Sequence, residues 1–187
     1  MKDFIRSNPL FSLCGLNCAI CPMYLGQYCP GCGGGAGNQS CRITKCSLVH
    51  GKPEYCYECA EYPCDKYDGI DDYDSFISHR NRHKDMARAK EMGTEHYQAE
   101  LSEKAVILDD LLANYNDGRR KTFYCTAVNL LDLNDIRSII NNLRQETDGE
   151  NLSLKEKAAS SVRLFQEMAQ ERGIELRLRK RSKAGKS

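Results

Sequence analysis

With 187 residues, 27 Lys and Arg against 26 Asp and Glu, and a net charge of +1, the chain is no polycation, and nucleic-acid binding gains no general support. The amino terminus, Met1-Lys2-Asp3-Phe4-Ile5-Arg6, lacks the apolar run of a secretory leader, and no segment approaches the ~18 apolar residues of a membrane helix. A cytoplasmic protein with no membrane partner is expected, built as one domain or as one domain with a small appended module.

In chain order, residues 1–13 form a short lead-in whose Leu10, Phe11 and Leu13 pack against the cysteine-rich stretch beyond them. Ten of the eleven cysteines then fall between Cys14 and Cys64, spaced Cys14-x3-Cys18-x2-Cys21-x7-Cys29-x2-Cys32-x8-Cys41-x4-Cys46-x9-Cys56-x2-Cys59-x4-Cys64. Eight glycines and four prolines punctuate the same stretch, which predicts loops, knuckles and one or two helical turns. After Cys64 an acidic bridge (Asp65, Asp68, Asp71, Asp72, Asp74) leads into a proline-free region with helical periodicity.

Five helices are expected there: about Asp74–Glu91, Glu95–Tyr115, Thr122–Leu131, a fourth starting at Asp132 or Asn134 and ending near Gln145, and a fifth opened by the capping box Ser153-Leu154-Lys155-Glu156. Gly173 stands where a left-handed C-cap would close the fifth. Ile174 to Arg179 alternates apolar and charged residues like one half-buried strand, and a basic tail follows. The expected fold is mainly α. Residues 1–70 form a loop-rich, metal-stabilised cysteine-rich module, and residues 71–187 form an α-helical domain with at most one short strand.

The apolar residues between Cys14 and Cys64 are too few to offset the conformational entropy of ordering some fifty residues, so a cross-link is needed. In a reducing compartment thiols stay available to metals rather than disulfides. Zinc takes four thiolate or imidazole ligands, and two cysteines separated by two residues chelate one ion from a single turn. Three such doublets occur: Cys18/Cys21, Cys29/Cys32 and Cys56/Cys59. The candidate ligands are Cys14, Cys18, Cys21, Cys29, Cys32, Cys41, Cys46, Cys56, Cys59 and Cys64, enough for two zinc ions with two thiols to spare. The expected partition groups Cys29, Cys32, Cys41 and Cys46 around one ion and Cys18, Cys21, Cys56 and Cys59 around the other. Cys14 and Cys64 are then surplus, and His50 is able to enter either set.

The rival is an iron–sulfur or redox enzyme, because Cys14-x3-Cys18-x2-Cys21 matches the spacing of clusters that leave one iron open. The alternating strand–helix pattern such enzymes need is not seen downstream. Cys125 reads as a small core residue. His79 and His83, four apart on an expected helix, read as solvated surface, and His96 reads the same way. The basic clusters Arg119-Arg120-Lys121 and Arg177 to Lys186 admit a nucleic-acid-binding zinc protein, but no aromatic residue interleaves the tail to stack on bases.

Cys14-Gly15-Leu16-Asn17-Cys18-Ala19-Ile20-Cys21-Pro22, with Cys29-Pro30-Gly31-Cys32, Cys41-Arg42-Ile43-Thr44-Lys45-Cys46 and Cys56-Tyr57-Glu58-Cys59-Ala60-Glu61-Tyr62-Pro63-Cys64, resembles a bacterial and archaeal family catalogued as domain of unknown function 3795. The likeness covers about the first third of the chain. Asp117-Gly118-Arg119 before Phe123-Tyr124-Cys125 looks like the helical extension of some members. The resemblance implies a zinc-binding domain with no defined reaction. Together these features favour a structural-zinc binding or adaptor module over an enzyme, with a protein partner rather than nucleic acid.

Overall fold

The computed structural model describes residues 4–38 and 41–181. It is mainly helical: α1 Pro22–Leu25, α2 Arg42–Val49, α3 Arg82–Met92, α4 Thr94–Asn114, α5 Lys121–Leu130, α6 Leu133–Thr147 and α7 Leu154–Glu171. Among the described residues the only β pairing recorded is an isolated bridge between Phe11 and Asn17. Among the described residues no helix is long and apolar enough to cross a membrane. The chain divides into two compact units, one of residues 1–98 with 178–187 and one of residues 99–177, rather than at the change of composition near residue 70.

The second unit follows the periodicity closely. Leu108, Leu111, Tyr124, Val128, Leu131, Ile136, Ile139, Leu143 and Phe165 are buried, and Cys125 is buried with them as a small core residue. The Tyr124 hydroxyl donates to the Tyr115 carbonyl at 2.8 Å, and the buried Lys104 ammonium donates to the Leu131 carbonyl at 2.7 Å. At the start of α7 the Ser153 amide donates to Glu156 Oε2 at 2.8 Å while the Glu156 amide donates back to Ser153 Oγ, a complete capping box. At its end Gly173 takes φ +64°, and the amides of Gly173 and Ile174 donate to the carbonyls of Gln170 and Ala169. That is the Schellman closure a glycine permits.

In the first unit the lead-in turns out to be the organising thread. Arg6 N donates to Gly33 O and Cys32 N to Pro9 O, while Ala19 N donates to Leu10 O and Cys56 N to Leu13 O. Residues 6–13 therefore touch three of the cysteine-bearing loops in turn. Phe4, Leu13, Ile43 and Tyr67 form the apolar centre, and Cys14, Cys32, Cys56 and Cys64 pack against it. A second centre stacks Phe11 on Tyr55 and Tyr97, at ring distances of 5.3 and 4.7 Å.

Two expectations need correction. The helix expected from Asp74 starts at Arg82, because the Asp74 carboxylate accepts the His79 amide at 2.8 Å and folds residues 74–79 around itself. The alternating segment Ile174 to Arg179 forms no strand; it carries no regular structure, and its Arg179 pairs with Asp74 inside the first unit. The tail from residue 182 onward lies outside the described residues.

Candidate metal centre

No disulfide joins any of the eleven cysteines. Short turns present them. Cys18 opens a 3₁₀ turn (Cys18–Ile20), and Cys21 caps α1. Cys41 caps α2 by accepting the Thr44 amide at 3.3 Å, and Cys46 rides in that helix. Cys56 opens another 3₁₀ turn (Cys56–Glu58), with Cys59 just past it, and Cys64 precedes a third (Asp65–Tyr67). Around Cys32, Gly31 and Gly33 take φ +84° and +83°, as the Cys-Pro-Gly-Cys-Gly sequence leads one to expect.

The sulfurs gather differently from the sequence partition. The Cys18 thiol is raised well above its ordinary value, by burial first and then by the neighbouring Cys32, Cys14 and Cys21, against the opposing pull of the Cys32 amide on its sulfur. Cys32 is pushed up to about 11 by burial and by Cys14, while Arg6 and the Leu13 amide pull it down. Cys14, Cys18, Cys21 and Cys32 thus form one neighbourhood, with the Ser12 hydroxyl 3.3 Å from the Cys14 sulfur.

Cys46, Cys56, Cys59 and Cys64 form the second neighbourhood and line one cavity of about 30 Å³ together with His50 and Tyr62. Burial pushes the Cys56 thiol up to about 12, and Cys14, Cys64 and Cys46 add to the rise while the Tyr67 hydroxyl opposes it. Cys46 is raised by burial, then by Cys64, with Lys66 opposing and Cys59 adding. His50 Nδ1 lies 2.9 Å from the Cys46 carbonyl and 3.4 Å from the Cys46 sulfur, and its Nε2 lies 3.4 Å from Glu61.

Cys64, expected to be surplus, belongs to the second neighbourhood, and Cys14 stands between the two, beside Cys18 and Cys32 on one side and Cys56 on the other. Cys29 and Cys41 are the two left over. Cys29 lines an open cleft with Tyr24, Tyr28 and Pro30, and Cys41 is exposed and reaches only the edge of the first neighbourhood through Cys32. Among the described residues no three Cys, His, Asp or Glu side chains already close into a metal cage. The donor chemistry fits zinc nonetheless. Each neighbourhood offers four thiols whose charged forms repel one another when no cation is present, and a dication between them turns that repulsion into ligation. A cavity of about 30 Å³ admits a single ion-sized occupant.

A buried cation lies beside the first neighbourhood. Arg6, 7 % exposed, donates through Nε to the Glu54 carbonyl (2.9 Å) and through Nη1 to the carbonyls of Phe11 (2.9 Å) and Cys32 (3.2 Å). Its Nη2 stands 3.4 Å from the Glu54 carboxylate.

Of the three histidines read as solvated surface, His83 and His96 are exposed as expected and His79 is not. His79 lies ahead of α3 and is buried, not on a solvated helix face. Its Nε2 is 2.9 Å from Ser75 Oγ, and its Nδ1 is 3.1 Å from the Ile70 carbonyl and 3.9 Å from Asp71 Oδ1. His83 is half-exposed and meets Asp71 Oδ2 at 3.3 Å. No serine–histidine pairing is legible in the sequence, because residues 75 and 79 fall within a segment whose periodicity reads as helix. His96 is exposed, as expected.

No protein-family model, curated protein or solved structure matches the chain.

Proposed function

We propose that this is a zinc-binding protein holding about two structural ions. One would sit on Cys14, Cys18, Cys21 and Cys32, the other on Cys46, Cys56, Cys59 and Cys64. The observation that carries the reading is the second set: four cysteines from three separate segments and His50 surround one small cavity. Zinc ligated by four thiolates has no open position for water, so it holds a shape rather than performing hydrolysis. The shape would serve as a binding module for a protein partner in the cytoplasm. The resemblance of the cysteine motifs to domain of unknown function 3795 points the same way.

A nucleic-acid role draws less support from the basic residues, several of which are engaged within the chain. Arg179 pairs with Asp74 at 3.2 Å, Arg177 with Glu175 at 3.2 Å and Arg120 with Asp117 at 3.3 Å, and Arg181 lies over the Tyr73 ring. The iron–sulfur reading on Cys14, Cys18 and Cys21 wants an open fourth position, whereas Cys32 stands in the same neighbourhood to fill it. Protein purified without oxygen tests the choice. A colourless sample containing zinc supports structural zinc; a brown sample with iron, sulfide and absorption near ~400 nm overturns it.

A further inference from the structure

The segment between Ile70 and His79 carries a group that structural zinc does not explain. Ser75 is exposed, and its hydroxyl lies 2.9 Å from His79 Nε2. His79 Nδ1 faces the Ile70 carbonyl at 3.1 Å, and a carbonyl only accepts, so Nδ1 carries the ring proton. Nε2 therefore presents its lone pair to the Ser75 hydroxyl, the direction a general base requires. Asp71 Oδ1 stands 3.9 Å from Nδ1, placed to stabilise the imidazolium that would form.

The supporting groups are themselves held. The Asp74 carboxylate grips the His79 amide at 2.8 Å and fixes the backbone that carries the ring. Arg82, 2 % exposed, sets its Nε 3.1 Å from Asp71 Oδ1, and His83 Nε2 lies 3.3 Å from Asp71 Oδ2. Phe76 and Ile77 follow Ser75 in a bend, and no hydrogen bond from either amide is found among the described residues, which leaves them as the candidate donors to an oxyanion. Phe76, the next residue, is 61 % exposed and apolar.

The geometry points to a second activity: Ser75 is an acyl-accepting nucleophile, His79 its general base and Asp71 the residue that positions and stabilises His79, acting on short acyl esters that approach an open face. Ser75 Oγ bonds to the acyl carbon as its proton passes to His79 Nε2 and the carbonyl electron pair moves onto oxygen. Collapse of that adduct breaks the bond to the alcohol oxygen, which leaves with the proton from Nε2, and an ester on Ser75 remains. Water, deprotonated by the same nitrogen, then attacks the ester, releasing the carboxylic acid and restoring the serine hydroxyl.

The test is reaction of the full chain with a fluorophosphonate ester, with the adduct mapped by peptide mass spectrometry. A single adduct on Ser75 is expected, absent in Ser75→Ala, whose exposed position leaves the fold intact, and formed at least ~tenfold more slowly in His79→Gln. Helicity by circular dichroism checks that the His79→Gln chain is folded, and Asp71→Asn provides a second slowed variant that leaves the His79 ring in place. No adduct, an adduct on another residue, or wild-type labelling rates in both His79→Gln and Asp71→Asn would overturn the assignment. Zinc counted on the same sample keeps this outcome separate from that of the metal centre.

Discussion

Asp74 and Arg179 lie 105 residues apart in sequence and hold each other at both main chain and side chain. The Asp74 amide donates to the Arg179 carbonyl at 2.9 Å, the Arg179 amide returns to Asp74 Oδ2 at 2.8 Å, and the guanidinium reaches Oδ1 at 3.2 Å. The carboxylate is fully buried, and it also caps the His79 amide. Asp74→Ala strands these donors and is expected to destabilise the first unit by about 2–4 kcal/mol. Urea unfolding followed at a first-unit tyrosine checks this; a change below ~1 kcal/mol would mean that the contact is incidental.

The same carboxylate sets an acid limit. Burial pushes its pKa up, but the amides of His79 and Arg179 and the Arg179 guanidinium outweigh burial and hold it below the ordinary 3.8. The unfolded chain binds the proton first as pH falls, so this stabilisation is whole above about 4 and fades as pH drops through the lower folded value. Wild type and Asp74→Asn should converge in stability on acidification. A constant gap down to pH ~2 would contradict the linkage.

His79 has the opposite sensitivity, near neutral pH. Burial first, then Arg82, lowers its pKa below 6.5, against the raising effects of the Ile70 carbonyl, Asp74 and Asp71. Its contribution to stability is present above pH 6.5 and is lost as pH falls from there toward the folded value, because the unfolded chain protonates first. The hydrogen-exchange protection of residues 74–79, taken relative to the intrinsic rate at each pH, should weaken as pH falls below 6.5 in wild type but not in His79→Gln.

Arg6 offers a test independent of any titration. Arg6→Ala leaves the carbonyls of Glu54, Phe11 and Cys32 short of a donor and the Glu54 carboxylate without its cation. A loss of about 3–5 kcal/mol in the first unit is expected. In the second unit, Ser153→Ala removes one half of a capping box and should cost only about 1 kcal/mol. Thermal unfolding of both variants ranks them; the reverse order would be inconsistent with the burial of Arg6.

Metal removal should divide the two units. Ten of the eleven cysteines lie in the first, and the second is held by Leu111, Ile136, Leu143 and Phe165 without any thiolate pair. A strong zinc chelator should abolish amide protection around Leu13 and Ile43 while α5 to α7 keep theirs. Loss of protection throughout would mean that the second unit depends on the metal.

How much of this was legible depended on whether the deciding contact was local. The capping box at Ser153 and the stop at Gly173 are written within a few residues, and α7 begins and ends as they dictate. Asp74 defeats the same reasoning, because its partners include Arg179 at the far end of the chain and periodicity records nothing of that contact. Two of the cysteine doublets stay together in the structure, but Cys29 parts from Cys32, and the spacing does not say which sulfurs meet. Residues 6–13, which read as a simple lead-in, draw Cys32 and Cys56 onto the Pro9 and Leu13 carbonyls and so set the grouping. Ser75 and His79 were missed for a related reason: a spacing of four suggests one helix face, and only the loop around Asp74 turns it into a hydrogen bond.

Zinc stoichiometry in paired cysteine variants tests the grouping most directly. Wild type should bind about two ions per chain, and Cys18→Ser with Cys32→Ser about one, as should Cys46→Ser with Cys56→Ser. Each pair lies within one observed neighbourhood, whereas the partition suggested by sequence spacing splits both pairs between two ions. Retention of about one zinc ion in each double variant is the predicted result. Loss of all zinc from either, or a wild-type chain that binds none, would contradict it.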